Sequence, residues 1–199
     1  MNRSAIVLIV VLVAIIAVFK FCNNKPEPQA DDQRQAPLSV GQNTGSFNAS
    51  FGRLLSAYYT LKDAFVVSDT LKIDSAAGTV RLAADSLRVN EIKGDSTGTI
   101  REMAQSFSTS IGSSAVAIAG EKDLEAKRRE LNIISDALWS LTRTVKYDGE
   151  KVYYQFCPMA FNHQGGYWLS DKEDIQNPYL GDKMSTCGET ADSVDYSKR

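Results

Sequence analysis

Two short sulfur-bearing clusters stand near the end of this chain. Cys157-Pro158-Met159 closes the run Tyr153-Tyr154-Gln155-Phe156, and Met184-Ser185-Thr186-Cys187 follows Gly181-Asp182-Lys183. Each cluster carries one thiol and one thioether, and the single histidine of the chain, His163, falls between them. Polarisable sulfur donors suit polarisable cations, so the chemistry indicated is the binding of a soft metal ion such as copper(I). Cys157 and Met159 share one side of an extended backbone, and Met184 and Cys187 meet on one side of a helical turn. The candidate ligands are therefore Cys157, Met159, Met184 and Cys187, with His163 as a possible fifth donor. The same spacing also permits a Cys157–Cys187 disulfide in an oxidising compartment. That staple would close a loop of about 31 residues and stabilise by roughly 3–4 kcal/mol in the chain-entropy picture. On spacing alone the staple is the simpler reading. The methionines argue for the metal, because a staple does not need them, although Met also fills irregular cores.

Enzymatic chemistry finds little support. There is one histidine, no glycine-rich phosphate loop, no His-Glu-x-x-His and no nucleophile elbow. Cys157 with His163 could in principle make a nucleophile–base pair, but nothing else in the chain completes it. Lys172-Glu173-Asp174 reads as a solvated turn. The chain is expected to be a non-enzyme. Its 22 basic and 24 acidic residues give a net charge of −2 without a basic run, so a nucleic-acid surface is not expected either.

The elements that must hold these residues divide the 199-residue chain into five parts. Residues 1–22 contain the aliphatic stretch Ala5 to Phe19, continued by Lys20 and Phe21. At 1.5 Å per residue, positions 5–21 span roughly 25 Å, slightly short of a bilayer core. Lys20 can snorkel to the interface. The exit Phe19-Lys20-Phe21-Cys22 lacks the small residues a signal-peptide cut requires, so an uncleaved anchor is expected. The short N-terminus stays in the cytoplasm, which makes this a single-pass inner-membrane protein with its body in the periplasm. Residues 23–46, rich in Pro, Gln and Asp, read as a flexible tether.

Residues 47–148 show four helical periods. Phe51, Leu54, Leu55, Tyr58, Leu61 and Phe65 line one face. Ile73, Ala76, Ala77, Val80, Ala84 and Leu87 line the second. The third comprises Ile100, Met103, Ala104, Phe107, Ile111 and Ile118, with a capping box expected at Thr99 and Glu102. The fourth steps through Leu124, Leu131, Ile134, Leu138, Leu141 and Val145, with acidic residues at its start and basic ones at its end, as the helix dipole favours. Four such helices joined by short turns predict an antiparallel four-helix bundle. The fold class is thus mainly α, with an N-terminal transmembrane helix ahead of the bundle. Residues 149–190 are expected to form an irregular loop module packed on it. The module could hold one short strand at 152–156, and its aromatics argue against disorder. A frayed tail, 191–199, follows.

The run from Val152 to Gly188 carries Tyr-Tyr-Gln-Phe-Cys-Pro-Met-Ala, then Gly-Gly-Tyr-Trp-Leu-Ser, then Ile-Gln-Asn-Pro-Tyr-Leu-Gly-Asp-Lys-Met-Ser-Thr-Cys-Gly. It resembles a domain of unknown function from Gram-negative bacteria, found alone or attached to periplasmic adaptor subunits of heavy-metal efflux pumps of the copper/silver exporter type. The resemblance spans about 47–189, including the helical part that opens with Leu54-Leu55-Ser56-Ala57-Tyr58-Tyr59. It implies copper or silver handling, an efflux adaptor as partner, and a sulfur motif matched at Cys157, Met159, Met184 and Cys187. It implies no catalytic activity. With it, the metal reading moves ahead of the plain staple.

Overall fold

Thr44 sets where the first described helix begins. Its side chain accepts from the Phe47 amide at 3.0 Å and caps helix α1, Gly45–Val66. The computed structural model describes residues 43–198, so the expected anchor and most of the tether lie outside the described residues. Ordered chain nevertheless reaches back into the stretch expected as tether. Asn43 is buried and donates to the Val145 and Lys146 carbonyls at 3.1 and 3.2 Å.

Three more helices follow: α2 (Thr70–Asp85), α3 (Thr99–Gly120) and α4 (Leu124–Val145). Asp69 and Asp123 cap α2 and α4 by accepting from the Lys72 and Ala126 amides at 3.1 and 2.8 Å. The capping box expected at Thr99 and Glu102 does not form. Gly98, left-handed at φ 80, occupies the cap position without a side chain. Asp95 accepts from the Arg101 amide at 2.9 Å instead. Each helix packs on the next in sequence. Helices α1 and α4 run antiparallel, because their cross-links reverse in order: Asn43 meets Val145, Tyr58 meets Ser135, and Ser68 meets Arg128.

The predicted inner faces are buried along α1, α2 and α4, with Leu131, Ile134, Leu138, Leu141 and Val145 all fully covered and only Leu124, at the start of α4, partly buried. Burying a leucine or isoleucine of this kind contributes roughly 1.5–3 kcal/mol. On α3 the pattern fails at Met103, which is 38% exposed, and Phe107 is only partly buried. Small residues take their place: Ser108 is buried, and its hydroxyl donates to the Ala84 carbonyl at 2.7 Å.

The C-terminal part corrects the expectation of an irregular module. Strands β1 (Val152–Cys157), β2 (Gly166–Ser170) and β3 (Glu189–Val194) form an antiparallel sheet in the order β2-β1-β3. Strand β3 falls largely in residues expected as a frayed tail. The segment 171–188, between β2 and β3, lacks extended or α-helical structure, apart from a single 3-10 turn at Gly181–Met184. One sheet face meets the helices. Trp139 of α4 stacks on Tyr154 at 4.6 Å, and Tyr154 stacks on Tyr167 at 4.7 Å. The Leu169 amide donates to the Tyr58 hydroxyl at 3.0 Å. The other face carries Gln155, Cys157 and Trp168, all fully buried, and 171–188 covers it.

Among the described residues, no helix is long and apolar enough to cross a membrane. The expected transmembrane segment, 5–21, lies outside them.

Candidate functional site: a dithiol beneath a loop

Strand alternation decides which side chains of β1 share the covered face. Gln155 and Cys157, two apart, point to it, while Tyr154 and Phe156 point to the helices. In the β1–β2 register Gln155 lies opposite Trp168 and Cys157 opposite Gly166. The covering segment returns Cys187 to the end of β1, and the two Sγ atoms stand 3.5 Å apart as free thiols. Cys157 is fully buried; Cys187 is half-buried.

Asn177 holds Cys187 in place. Fully buried, it donates from Nδ2 to the Cys187 carbonyl at 2.7 Å, and its amide donates to the Ser185 carbonyl at 2.7 Å. Its Oδ1 accepts from the Tyr179 and Leu180 amides at 2.7 and 3.2 Å. An Asn-Pro pair is by residue type a turn signal; here the Asn177 side chain is also the inner peg of the loop. Gly188 adjoins the site at φ 141, and a Cβ there would lie 2.7 Å from the Phe156 carbonyl oxygen and 2.9 Å from the Trp168 ring. Only glycine lets the chain pass this close behind Cys187.

Gln155 ties down the start of the same segment. Its Nε2 reaches the Lys172, Glu173 and Asp174 carbonyls at 3.1, 3.0 and 3.4 Å. Its Oε1 and the Trp168 Nε1 are buried without a hydrogen-bond partner. From the helices, Arg128 Nε donates to the Pro178 carbonyl at 3.3 Å. Tyr179 donates its hydroxyl to the Tyr167 carbonyl, and Asn132 Oδ1 accepts from the Tyr167 amide at 2.8 Å. Neither Asn177, Gln155 nor Trp168 was singled out by residue type, because none is titratable or a soft donor.

The remaining expected ligands are less tightly placed. Met159 and Met184 are each 39% exposed. His163 is exposed on a left-handed turn with Phe161 and Asn162, at φ 66, 54 and 56. Among the described residues, no group of three or more His, Cys, Asp and Glu side chains converges in a way that could hold a metal ion. Any metal here would rest on the two thiols and on thioether sulfur. The neighbouring Cys157 thiol, and then burial, push the Cys187 thiol above its ordinary range. Reactive cysteines sit in electropositive surroundings that lower their pKa. Cys187 shows the opposite shift.

Fold and site together define a mainly helical domain with a small antiparallel sheet and a covered dithiol. Residues 54–149 match a family described as protein of unknown function (DUF3347). The match comprises α1 from its tenth residue through α4 and ends before β1, leaving the Cys/Met motif outside it. No curated protein and no solved structure matches the chain.

Proposed function

We propose that this protein binds a soft metal ion such as copper(I) at Cys157 and Cys187, as a membrane-anchored envelope protein linked to heavy-metal efflux. One observation carries the metal reading: two free thiols brought 3.5 Å apart, one from the end of β1 and the other from the end of the irregular segment 171–188. A cation making thiolate bonds of about 2.3 Å would bridge that separation at an angle of roughly 100°. So bent an arrangement leaves room for further donors. Met159, two residues beyond Cys157, and Met184, three before Cys187, are the soft groups nearest in sequence. His163 is the least supported of the five, being exposed and set on a turn of its own. The envelope and efflux parts rest on the apolar run 5–21 and on the resemblance to the adaptor-associated domain.

The test is competition for copper(I) against a chromophoric chelator on the reduced protein. About one equivalent should bind. Replacing Met159 and Met184 together with leucine should weaken binding while sparing the fold, since such swaps cost under about 1.5 kcal/mol. Unchanged affinity in that variant would remove both thioethers from the site, and absent binding in the wild type would end the proposal.

A second reading has its own support. The same 3.5 Å contact needs only a small approach to become a disulfide, whose sulfurs sit about 2.05 Å apart. In that form the chain is a stapled interaction module that docks on a membrane complex without metal. Replacing both cysteines with serine separates the two readings: loss of copper(I) binding marks ligands, whereas lowered thermal stability alone marks a staple.

A further inference from the structure

We propose that residues 171–188 are a latch over the second sheet face, closed by a covalent or metal link between Cys187 and Cys157 and released when both thiols are free. The metal arm rests on the soft-metal reading above; the disulfide arm does not. Cys157 ends a strand paired on both edges, so it is the fixed post. Cys187 ends the irregular segment, so it is the moving part. Between them the segment is held by side-chain hydrogen bonds from Gln155 and Arg128, by the Tyr179 hydroxyl on the Tyr167 carbonyl and by the Tyr179 ring packed on Trp168 and Phe161, rather than by strand pairing into the sheet. Its fold is internal, built on Asn177, and can lift as a unit.

Closure has a cost that makes release possible. It buries the Trp168 indole N–H and the Gln155 Oε1 without partners, and such atoms regain hydrogen bonds when water reaches them. The closed form of the free dithiol is thus held by hydrogen bonds and by the packing of Ile175, Tyr179 and Leu180, and opposed by two orphaned polar atoms. A link at the sulfurs tips that balance. The asymmetry in exposure gives the order of events with a small-molecule disulfide as oxidant. The Cys187 thiolate attacks one of its sulfurs, breaking that S–S bond and releasing one thiol, which takes a proton. Cys157, deprotonated in turn, attacks the Cys187 sulfur of the mixed disulfide and releases the second thiol. Two protein thiols and one small disulfide become one protein disulfide and two small thiols.

Amide hydrogen exchange of the full chain, read by mass spectrometry, tests this in three states: reduced, oxidised with glutathione disulfide, and loaded with copper(I). Oxidation should slow exchange in 171–188 by about tenfold or more and leave α1–α4 unchanged. C187S should show the fast rate in the presence of the oxidant. Exchange in 171–188 that agrees within twofold between reduced and oxidised protein overturns the latch, as does slowing by oxidant in C187S. Should C187S fail to fold, alkylation of the buried Cys157 in reduced wild type decides, because a latch that never opens leaves it unlabelled. Slowing by oxidation but not by copper(I) upholds the latch and counts against the metal reading. Tight copper(I) binding with no slowing in either state does the reverse.

Discussion

Replacing Asn177 by aspartate alters a single donor at the heart of the site. The side chain keeps its shape, and Oδ1 still accepts from the Tyr179 and Leu180 amides. What is lost is the Nδ2–H that reaches the Cys187 carbonyl at 2.7 Å, and an oxygen takes its place. The position is fully buried. A buried carbonyl left unpaired costs about 1–3 kcal/mol, and a facing carboxylate oxygen adds repulsion, so N177D should lose about 2–4 kcal/mol at neutral pH. The new carboxyl can escape by holding a proton and donating it to the same carbonyl. Burial and that contact raise its folded pKa above the unfolded value near 3.9. A raised pKa stabilises the fold below the unfolded pKa, and the stabilisation fades as pH rises through the folded pKa. The deficit of N177D should therefore shrink from pH 7 to pH 4.5, when each stability is compared with wild type at the same pH by urea titration. The equilibrium constant for closing Cys157–Cys187 with glutathione should fall in parallel, since Cys187 loses its tether. A loss below about 0.5 kcal/mol that does not change with pH would refute the role given to Asn177.

Other parts of the structure yield outcomes of their own. L138A removes a fully buried side chain at the middle of α4 and should cost roughly 2–5 kcal/mol by denaturant unfolding; a loss under about 1 kcal/mol would contradict its burial. Y58F should cost about 1–3 kcal/mol, because Ser135 already donates to the Leu131 carbonyl, so the phenol must donate to Ser135 while accepting from the Leu169 amide; a neutral substitution would mean the sheet docks otherwise. Because the neighbouring thiol raises the pKa of Cys187, its alkylation rate should keep climbing beyond the pH at which an ordinary thiol levels off, near 8.5. C157A should bring that profile back towards the ordinary one. Deleting residues 1–22 should leave the helical circular dichroism intact, since α1–α4 all lie within 43–198, and aggregation of the truncated chain would speak against the anchor-and-tether reading.

The helices were legible because burial on one face leaves a period in the residues. Leu131, Ile134, Leu138, Leu141 and Val145 have that period and are buried. Met103 has it too and is exposed. On α3 the close approach to α2 is made by Ser108 and Gly112 rather than by large apolar groups, so periodicity pointed to the wrong residues. Thr44 was missed although its signal was present, a capping hydroxyl three residues before Phe47, where the apolar period of α1 begins. Strand β3 offered no such signal. Glu189-Thr190-Ala191-Asp192 is exposed throughout and held by backbone pairing to β1, which side-chain alternation does not reveal.

The dithiol was legible as two clusters with two readings, and the fold narrows them without removing either. Proximity of Cys157 and Cys187 follows from sheet order: β1 is central, so the segment between β2 and β3 must cross over it to reach its far edge. The place of that crossing depends on Asn177, Gln155 and Gly188, whose contributions are hydrogen-bond geometry and lack of bulk. The helices complete the arrangement. Tyr58 and Asn132 accept from strand β2, and Arg128 donates to the covering segment. All three lie within the family-matched residues, yet their partners lie beyond them. Stripped of the sheet, the helical domain would leave the Tyr58 hydroxyl short of a donor and the Trp139 ring without its stacking partner. The helical part is therefore shaped to carry a cover, and in this chain the cover is the element that brings two thiols within 3.5 Å.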